Sequence, residues 1–492
     1  MNMVNKAYNK YYKNISVAAK ASLWFMFCNL LQKGISTITV PIFTRLLTTD
    51  EYGIYSLYLA WFGILTIVTS LNLYYGVFYN AMNKLQVPSD RDRYISSMQG
   101  LTTSLTVVLA IIFALFQNFW SNLFGLSKFI LWLMIIELAV EPALQFWSVR
   151  QRFEYRYKTM VGITLLKSFL NPILGFILVI SSRGDRATLR IISVVVVEVV
   201  VAGAVMLYQF AKGKLFYSKE YWKTALSFNI PLLPHYLSGM ILNQGDRIMI
   251  QKMAGEGKVG IYSVAYNIGT LVSLVTNAIS NSMNPWIYDK LNNMDYMTIR
   301  RKVNEILLLI AGVVVLLMFF VPEVVRIFAS SEYYEAIYVV PPVASSMFFV
   351  FLYTLFASPQ LYFEENRYMA ATSIGAACLN IVLNFIFINW FGYAAAGYTT
   401  LVCYIAYSLG HYYFSKKVCM KNIGEYIFDA KSILLLSIGV CIAAVVFSLL
   451  YRFTLARYIM ATIIIGVMFT NRNRIKNTVT SFRMAKTSNL EQ

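Results

Sequence analysis

The stretch that decides the fold runs from Asn229 to Asn267 and reads NIPLLPHYLSGMILNQGDRIMIQKMAGEGKVGIYSVAYN. It is an apolar helical pattern interrupted by Pro231 and Pro234. Proline breaks a helix because it has no amide proton and its ring clashes with the preceding turn. We therefore predict a hinge at these prolines, the alternative being a static kink that improves packing. The same apolar run also carries Asp246 and Arg247.

The composition of the whole chain places this stretch in a membrane. Of 492 residues, 58% are hydrophobic and 13% are charged, whereas soluble domains carry about 25% charged residues. A membrane-spanning helix needs about 20 mostly apolar residues, and such runs recur along the chain. We predict an all-α polytopic membrane protein with about fourteen transmembrane helices. They are placed near residues 18–44, 53–80, 95–119, 127–149, 160–181, 188–211, 225–251, 259–285, 303–328, 336–360, 369–390, 393–414, 431–451 and 455–471.

The positions of the basic residues predict the orientation of these helices. Most of the 42 Lys and Arg fall in alternate loops, and basic residues bias short loops towards the cytoplasm. We therefore predict that both termini are cytoplasmic and that the first span is an uncleaved anchor. Arg190 and Arg457 are among the few basic residues assigned to outer loops. The net charge of +19 is thus explained by the basic residues of the inner loops. We therefore expect no nucleic acid as a partner.

Two pairs of similar sequence words predict an internal repeat. The word GIYS occurs at Gly53–Ser56 and at Gly260–Ser263, and Asn171–Leu178 resembles Asn380–Phe387 at nearly the same offset. Repeated sets of membrane helices are typical of transporters, the alternative being chance similarity of apolar words. We predict a six-helix lobe over residues 1–212, a second six-helix lobe over 213–416, and two additional helices with a basic cytoplasmic tail over 417–492.

Three basic residues fall inside predicted spans, namely Lys33, Lys167 and Arg247. An ionised side chain at the centre of a bilayer costs about 2.5–3.5 kcal/mol, so each needs a partner or water. Lysine can instead extend its ammonium group to the interface, and Arg247 can simply pair with a carboxylate. We do not favour the interpretation in which all three basic residues have only these structural roles. We predict a cavity with a cationic lining that binds an anionic substrate, because arginine and lysine are the phosphate-binding side chains.

Four acidic residues also fall inside predicted spans: Glu137, Glu141, Glu198 and Asp246. Glu137 and Glu141 lie four residues apart and therefore on one face of a helix. These acids are candidates for ion coupling or for charge pairing with the embedded basic residues. A buried carboxylate can change its protonation state during a functional cycle.

Signals of enzymatic chemistry are weak. His235 and His411 stand in different spans without neighbours at metal-ligand spacing, and the five cysteines lack CxxC spacing. No phosphate-cradling glycine loop or nucleophile motif is present. We predict no catalytic residues, no metal and no cofactor. Transport would then use an ion gradient or the gradient of the substrate itself.

Three segments resemble a known family over nearly the whole chain. FTRLLTTDEYGIYS at Phe43–Ser56 is similar to the first loop of bacterial polysaccharide exporters of the Wzx type, which belong to the MOP flippase superfamily. Asp246 and Arg247 with the following Val259–Tyr262 resemble the central segment of that family. Asn380 with the sequence FGYAAAG at 391–397 resembles its corner between spans 11 and 12.

The resemblance implies two six-helix lobes around a central cavity and a MATE-like fold. It implies translocation of an undecaprenyl-diphosphate-linked oligosaccharide across the bacterial cytoplasmic (inner) membrane, by rocking of the lobes, for O-antigen, lipopolysaccharide or capsule biosynthesis. It also implies coupling to H⁺ or Na⁺ through the embedded acids. The expected partners are the lipid-linked oligosaccharide, membrane lipids and other polysaccharide assembly proteins.

Three alternative functions remain open at this point. A drug or metabolite antiporter of the same superfamily would share the lobes, but it has less need of basic residues in the lumen. A peptidoglycan-precursor flippase would also have a cationic cavity. A membrane glycan polymerase or ligase belongs to a different class, and those enzymes usually place catalytic groups on a large outer loop, which the predicted topology lacks.

Overall fold

The computed structural model describes residues 16–182, 184–365 and 367–459, and within these ranges every regular element is helical. The all-α prediction is therefore confirmed. Most of the last predicted span and the whole basic tail lie outside the described residues. The helices are α1 (Val17–Leu46), α2 (Thr49–Ser70), α3 (Val77–Lys84), α4 (Pro88–Leu115), α5 (Gln117–Phe124), α6 (Lys128–Phe153), α7 (Tyr157–Ser181), α8 (Arg186–Gly213), α9 (Lys219–Asn229), α10 (Leu233–Ala254), α11 (Glu256–Gly269), α12 (Val272–Asn292), α13 (Tyr296–Phe328), α14 (Val340–Tyr362), α15 (Arg367–Phe391), α16 (Ala395–Asn422) and α17 (Ala430–Leu450).

Many of these helices are long and apolar enough to cross a membrane. Among the described residues, nine helices meet this condition, and the count is ten if α11 and α12, bent by 43° at their junction, form one span. The nine are α2, α4, α6, α7, α8, α13, α14, α15 and α17. The chain is thus a multi-pass membrane protein, while the count of fourteen and the two six-helix repeats stay predictions.

The predicted span 225–251 is divided between two helices. Helix α9 ends at Asn229, a 3₁₀ turn covers Ile230–Leu232, and α10 begins at Leu233. Pro231 sits in the turn and Pro234 in the first turn of α10, where a missing amide proton costs no helical hydrogen bond. The break predicted at the prolines is present, and the helix before it begins at Lys219, within the segment predicted as a loop. Motion about the break stays a prediction.

Local sequence also explains where α2 begins. The Thr48 side chain accepts a hydrogen bond from the Glu51 amide at 3.3 Å, and Glu51 Oε2 accepts one from the Thr48 amide at 2.9 Å. This reciprocal capping box satisfies two of the amide protons that a helix start leaves free. It places the first GIYS word one turn into α2.

The helices group into two compact units. Unit 1 contains the described residues up to Val264 together with Phe328–Tyr333 and Ala377–Tyr393. Inside it, α8 packs along α6, α7 and α4, while α2 packs against α10. Buried side chains of α2, α6 and α8, such as Leu57, Met134 and Ile191, form one continuous apolar core. Burial of this kind is the main source of stability once helices are inserted and packed.

Unit 2 contains Ala265–Ile327, Tyr334–Ala376 and the described residues from Ala394 onward. Its central helix is α14, which packs against α16, α12 and α17. Arg457, assigned to an outer loop from the sequence, is buried here and forms an ion pair with Glu323. The side chain is therefore packed and paired inside the unit, while its assignment to the outer side of the membrane stays a prediction. The predicted lobe boundaries at residues 212 and 416 stay predictions.

Candidate functional site

Three of the four predicted acids lie together in the core of unit 1. Glu137 and Glu141 stand on one face of α6, and Glu198 stands on α8, which packs along α6. All three side chains are buried. Glu137 and Glu141 each interact electrostatically with Glu198. The spacing-based prediction of a shared helix face for Glu137 and Glu141 is thus confirmed.

Lys167 of α7 completes this group, because its ammonium forms an ion pair with Glu198 Oε2. The Lys167 side chain is 30% exposed and that of Glu198 is 3% exposed. Lys167 also interacts electrostatically with both carboxylates of α6. We call Glu137, Glu141, Glu198 and Lys167 the acidic cluster. In this structure Lys167 has the charge-pairing role that the sequence left open, and its role in binding substrate stays a prediction.

The acidic cluster contains three carboxyl groups but one basic side chain. The Tyr58 hydroxyl donates to Glu137 Oε2, and the Gln145 amide donates to Glu141 Oε1 at 2.7 Å. Glu141 Oε2 and Glu198 Oε1 are buried, and neither has a hydrogen-bond partner among the described residues. Three ionised carboxylates beside one ammonium would leave two negative charges without compensation in the core. Such a group favours binding of protons or of a small cation.

The fourth acid, Asp246, lies on α10 and is fully buried. It accepts hydrogen bonds from the Tyr262 hydroxyl, from Asn380 Nδ2 at 3.2 Å and from Asn384 Nδ2 at 2.6 Å. Tyr262 belongs to the second GIYS word, and Asn380 begins the second apolar word quoted above. The repeat words therefore supply the donors that hold this carboxylate.

Arg247, the neighbouring residue, is also buried. Its Nε donates to Ser263 Oγ at 3.1 Å, and its Nη1 donates to the Asn243 carbonyl at 2.9 Å and to Gln244 Oε1 at 3.0 Å. The guanidinium lies 6.0 Å from the centre of the Tyr262 ring. These contacts fix its position and satisfy part of its donor capacity.

Lys33 differs from the other two predicted cations. Its side chain is exposed on α1, and no carboxylate in the described part of the chain forms an ion pair with it. The structure therefore does not join Lys33, Lys167 and Arg247 through shared contacts. Lys167 belongs to the acidic cluster, whereas Arg247 is held by α10 and by Ser263 of α11.

Arg190 is a buried cation that sequence reasoning assigned to an outer loop. Its side chain is only 3% exposed and bonds to Asn171 Oδ1 at 2.8 Å and to Ser193 Oγ at 2.7 Å. The guanidinium also bonds to the Tyr55 hydroxyl at 3.2 Å and lies 4.2 Å from the centre of the Phe43 ring. The available signal was its position inside the predicted span 188–211, together with the polar Asn171 within an apolar word.

The two GIYS words meet in the structure. A Cβ on Gly53 would lie 1.9 Å from the Glu256 carbonyl oxygen, and a Cβ on Gly260 would lie 2.2 Å from the Thr49 carbonyl oxygen. Gly53 of α2 therefore packs against the turn of α11 that precedes Gly260, and Gly260 packs against the turn of α2 that precedes Gly53. The contact is reciprocal. Only glycine permits this approach of α2 to α11. We call it the glycine contact.

The tyrosines of these words play parallel roles. Tyr55 bonds to Arg190, which also bonds to Asn171, whereas Tyr262 bonds to Asp246, which also bonds to Asn380. The words with Tyr55 and Asn171 thus enclose a buried positive charge, and the words with Tyr262 and Asn380 enclose a buried negative charge. This pairing supports the similarity of the words, although the charges themselves lie at non-equivalent positions.

A comparison with protein-family models gives one match that covers more than half of the chain. Residues 18–291 match the family described as "Polysaccharide biosynthesis protein". This range includes every predicted site residue.

Two curated relatives are similar to the chain at low identity. The probable low-salt glycan biosynthesis flippase Agl15 of Haloferax volcanii is 21% identical over 416 residues, which cover 82% of this chain and 84% of that protein. The Lsg locus putative protein 1 of Haemophilus influenzae is 22% identical over 204 residues, or 39% of this chain. The alignment spans only half the length of that second relative, 50%.

Solved structures share the fold over most of the chain. The lipid II flippase MurJ in its inward closed conformation aligns with a TM-score of 0.68 at 14% identity. The alignment covers 92% of the present chain and 100% of the MurJ chain. An inward-facing multidrug resistance MATE family transporter of the MOP superfamily aligns with a TM-score of 0.56 at 15% identity. This alignment covers 78% of the present chain and 94% of the transporter. The chain shares the fold of these solved transporters, and it belongs to the polysaccharide biosynthesis protein family, in agreement with the resemblance described above.

Proposed function

We propose that this protein translocates an undecaprenyl-diphosphate-linked oligosaccharide from the inner to the outer leaflet of the bacterial cytoplasmic membrane, for surface polysaccharide biosynthesis. The observation that carries this proposal is likeness to flippases over most of the chain, both in sequence to Agl15 and in fold to MurJ. The proposed orientation has both termini in the cytoplasm. The proposed mechanism is alternating access, in which two lobes rock about the substrate.

Buried charges support transport of an anionic headgroup. Arg247 and the Lys167 ammonium lie within an otherwise apolar helical unit, where each charge is costly to maintain. Arginine binds phosphate oxygens in a bidentate manner, which suits a diphosphate. Lys33 is exposed and has no ion pair with the described residues, so its ammonium is available to a ligand.

Complementation is the direct test of this function. The gene would be expressed in a set of strains that each lack one defined flippase, and the surface glycan or the survival of each strain would be measured. Restored surface polysaccharide in a strain without its repeat-unit flippase is the expected result. Restored growth only in a strain without its lipid II flippase would favour the second candidate, a peptidoglycan-precursor flippase, which the likeness to MurJ supports. Failure in every strain, with normal protein levels, would count against both.

Substitution of the cations tests the anionic site. Arg247→Ala should lower surface polysaccharide about tenfold, because a charge-assisted contact contributes about 1.5–3 kcal/mol, and Lys33→Ala should lower it less. Arg247→Lys keeps the charge but loses the bidentate geometry and should fall between wild type and Arg247→Ala. Protein level is measured on the same cells, because Arg247 also holds Ser263. Full export by both alanine variants would reject the anionic site.

We further propose that the acidic cluster carries the coupling ion, H⁺ or Na⁺. Its unpartnered oxygens on Glu141 and Glu198 support this proposal. Glu198→Gln should make transport into vesicles insensitive to collapse of the ion gradient, while Glu220→Gln, an exposed matched control on α9, should behave as wild type. Wild-type transport that ignores collapse of both the proton and the sodium gradient would exclude this role.

A drug or metabolite antiporter fits the shared fold but not the similarity to a glycan biosynthesis flippase. A polymerase or ligase is disfavoured because the similar proteins named above are flippases and transporters. Interaction with other polysaccharide assembly proteins belongs to the proposal, since a repeat unit released at the outer leaflet must be received by an assembly enzyme.

A further inference from the structure

Residues 212–231, which connect α8 to α10, form a basic and aromatic surface that the transport proposal does not use. The four lysines of this segment are Lys212, Lys214, Lys219 and Lys223, and Glu220 is its one acid. All four lysines are exposed, and within the described ranges none of them forms an ion pair. With four lysines and one glutamate, the segment therefore carries a net positive charge of three.

A shallow cavity of about 590 Å³ opens along α9 in this segment. Lys219, Lys223 and Ser227 line it, and they follow one another at four-residue spacing and so stand in one row on the helix. The rest of the lining is aromatic or apolar and consists of Tyr217, Trp222, Leu226, Ile230 and Pro231. Two ammonium groups beside an apolar lining match a phosphate attached to a hydrocarbon chain.

The cavity is held in place by the start of α4. The Trp222 indole donates to the Ser97 carbonyl at 3.0 Å and to Ser97 Oγ at 3.1 Å. A Cβ on Gly100 would lie 2.0 Å from the Phe216 carbonyl oxygen, so the segment lies directly on α4. Ala225 on the opposite side of α9 is buried in the core. The site is therefore formed before any ligand binds.

The position of the segment indicates what kind of ligand it meets. Helix α8, a candidate span, ends at Gly213, and α4, another candidate span, begins at Pro88. Residues just beyond span ends lie at the level of lipid headgroups, where Trp, Tyr and Lys are enriched. Phe216 and Tyr217 are 51% and 56% exposed, as expected for side chains that face this interface.

We propose that this surface is a binding site for the phosphate headgroup of an anionic glycerophospholipid of the same leaflet. Lys219 and Lys223 contact the phosphate, and the apolar lining formed by Leu226, Ile230 and Pro231 takes the first part of an acyl chain. The site anchors the connection between α8 and α10 to the membrane surface. This proposal concerns a bulk lipid and does not depend on the identity of the transported substrate.

The test is lipid binding by the full-length protein. Protein released from detergent is analysed by native mass spectrometry with phosphatidylglycerol or phosphatidylcholine added at matched concentrations. The wild type should retain phosphatidylglycerol preferentially. The variant Lys219→Gln/Lys223→Gln should bind it roughly tenfold to thirtyfold more weakly, because each basic residue near the surface contributes about 1 kcal/mol. Lys219→Arg/Lys223→Arg should keep binding.

The matched control is Lys416→Gln/Lys417→Gln, which removes the same charge from the exposed end of α16 and should bind as wild type. Unchanged binding by the Lys219/Lys223 glutamine variant would overturn the proposal, as would an equal loss in the control, which would indicate a bulk charge effect. Displacement of phosphatidylglycerol by undecaprenyl diphosphate at a much lower mole fraction would also overturn it, since the lipid carrier would then be the ligand. Equal unfolding temperatures of all variants establish that the comparison is between folded proteins.

Discussion

Replacing Gly53 by alanine should remove most of the folded protein, with an expected cost above about 3 kcal/mol. The added methyl carbon would lie 1.9 Å from the Glu256 carbonyl oxygen, which belongs to helix backbone and cannot rotate away. Gly260→Ala meets the same obstacle at the Thr49 carbonyl oxygen, 2.2 Å away. Either change forces α2 and α11 apart and disturbs the tyrosines that hold Arg190 and Asp246.

Gly239→Ala is the matched control, because Gly239 is helical in the same unit and a Cβ there would have no neighbour within 4 Å. Alanine has the better helix propensity by about 1 kcal/mol, so this variant should be as stable as wild type or slightly more stable. Thermal unfolding of the detergent-solubilised protein, followed by size-exclusion chromatography, measures all three. The double variant Gly53→Ala/Gly260→Ala should cost less than the sum of the single changes, because one separation of the helices relieves both clashes. Wild-type unfolding temperatures for both single variants would show that the glycine contact is not required.

The long apolar helices could be predicted from the sequence because the signal for each of them is local. A run of about 20 apolar residues predicts a helix wherever it occurs, since only a helix satisfies its own backbone hydrogen bonds in lipid. The break at Pro231 and Pro234 was predictable for the same reason. The separate helix α9 was not predicted because its first six residues are mostly polar or charged, which gives no continuous apolar run, and the rest was assigned to the span 225–251. Its Ser218 cap, which accepts from the Tyr221 amide, was the available signal.

The candidate site was only partly predictable, because contacts between helices depend on their rotation and depth. Sequence spacing placed Glu137 and Glu141 on one face, since both lie on one helix. Nothing local relates Lys167 to Glu198, which lie on different helices and meet only when α7 packs against α8. Arg190 was misplaced because it lies at the end of a span, where charge counting cannot distinguish a side chain that turns inward from one that faces water.

Removing the Lys167 ammonium should destabilise unit 1 strongly. Lys167→Met leaves Glu198 buried next to Glu137 and Glu141 with no positive charge in the acidic cluster. Breaking a buried ion pair from one side costs about 3–5 kcal/mol, because the remaining charge has lost its partner. The partial exposure of Lys167, 30%, places the expected cost near the lower end of that range. Glu198→Gln should cost much less, because the freed ammonium can reach water or another carboxylate of the cluster.

The double variant Lys167→Met/Glu198→Gln separates stability from function. It removes both partners, so its unfolding temperature should return most of the way to that of wild type, giving a favourable coupling energy in the double-mutant cycle. Export of polysaccharide by this folded variant should nevertheless stay low, because the neutral glutamine cannot exchange a proton and the lysine charge is absent. A folded double variant with normal export would mean that the ion pair serves only packing. Equal stability of Lys167→Met and wild type would mean that Glu198 is already neutral without the lysine, and the charge balance proposed for the cluster would then be wrong.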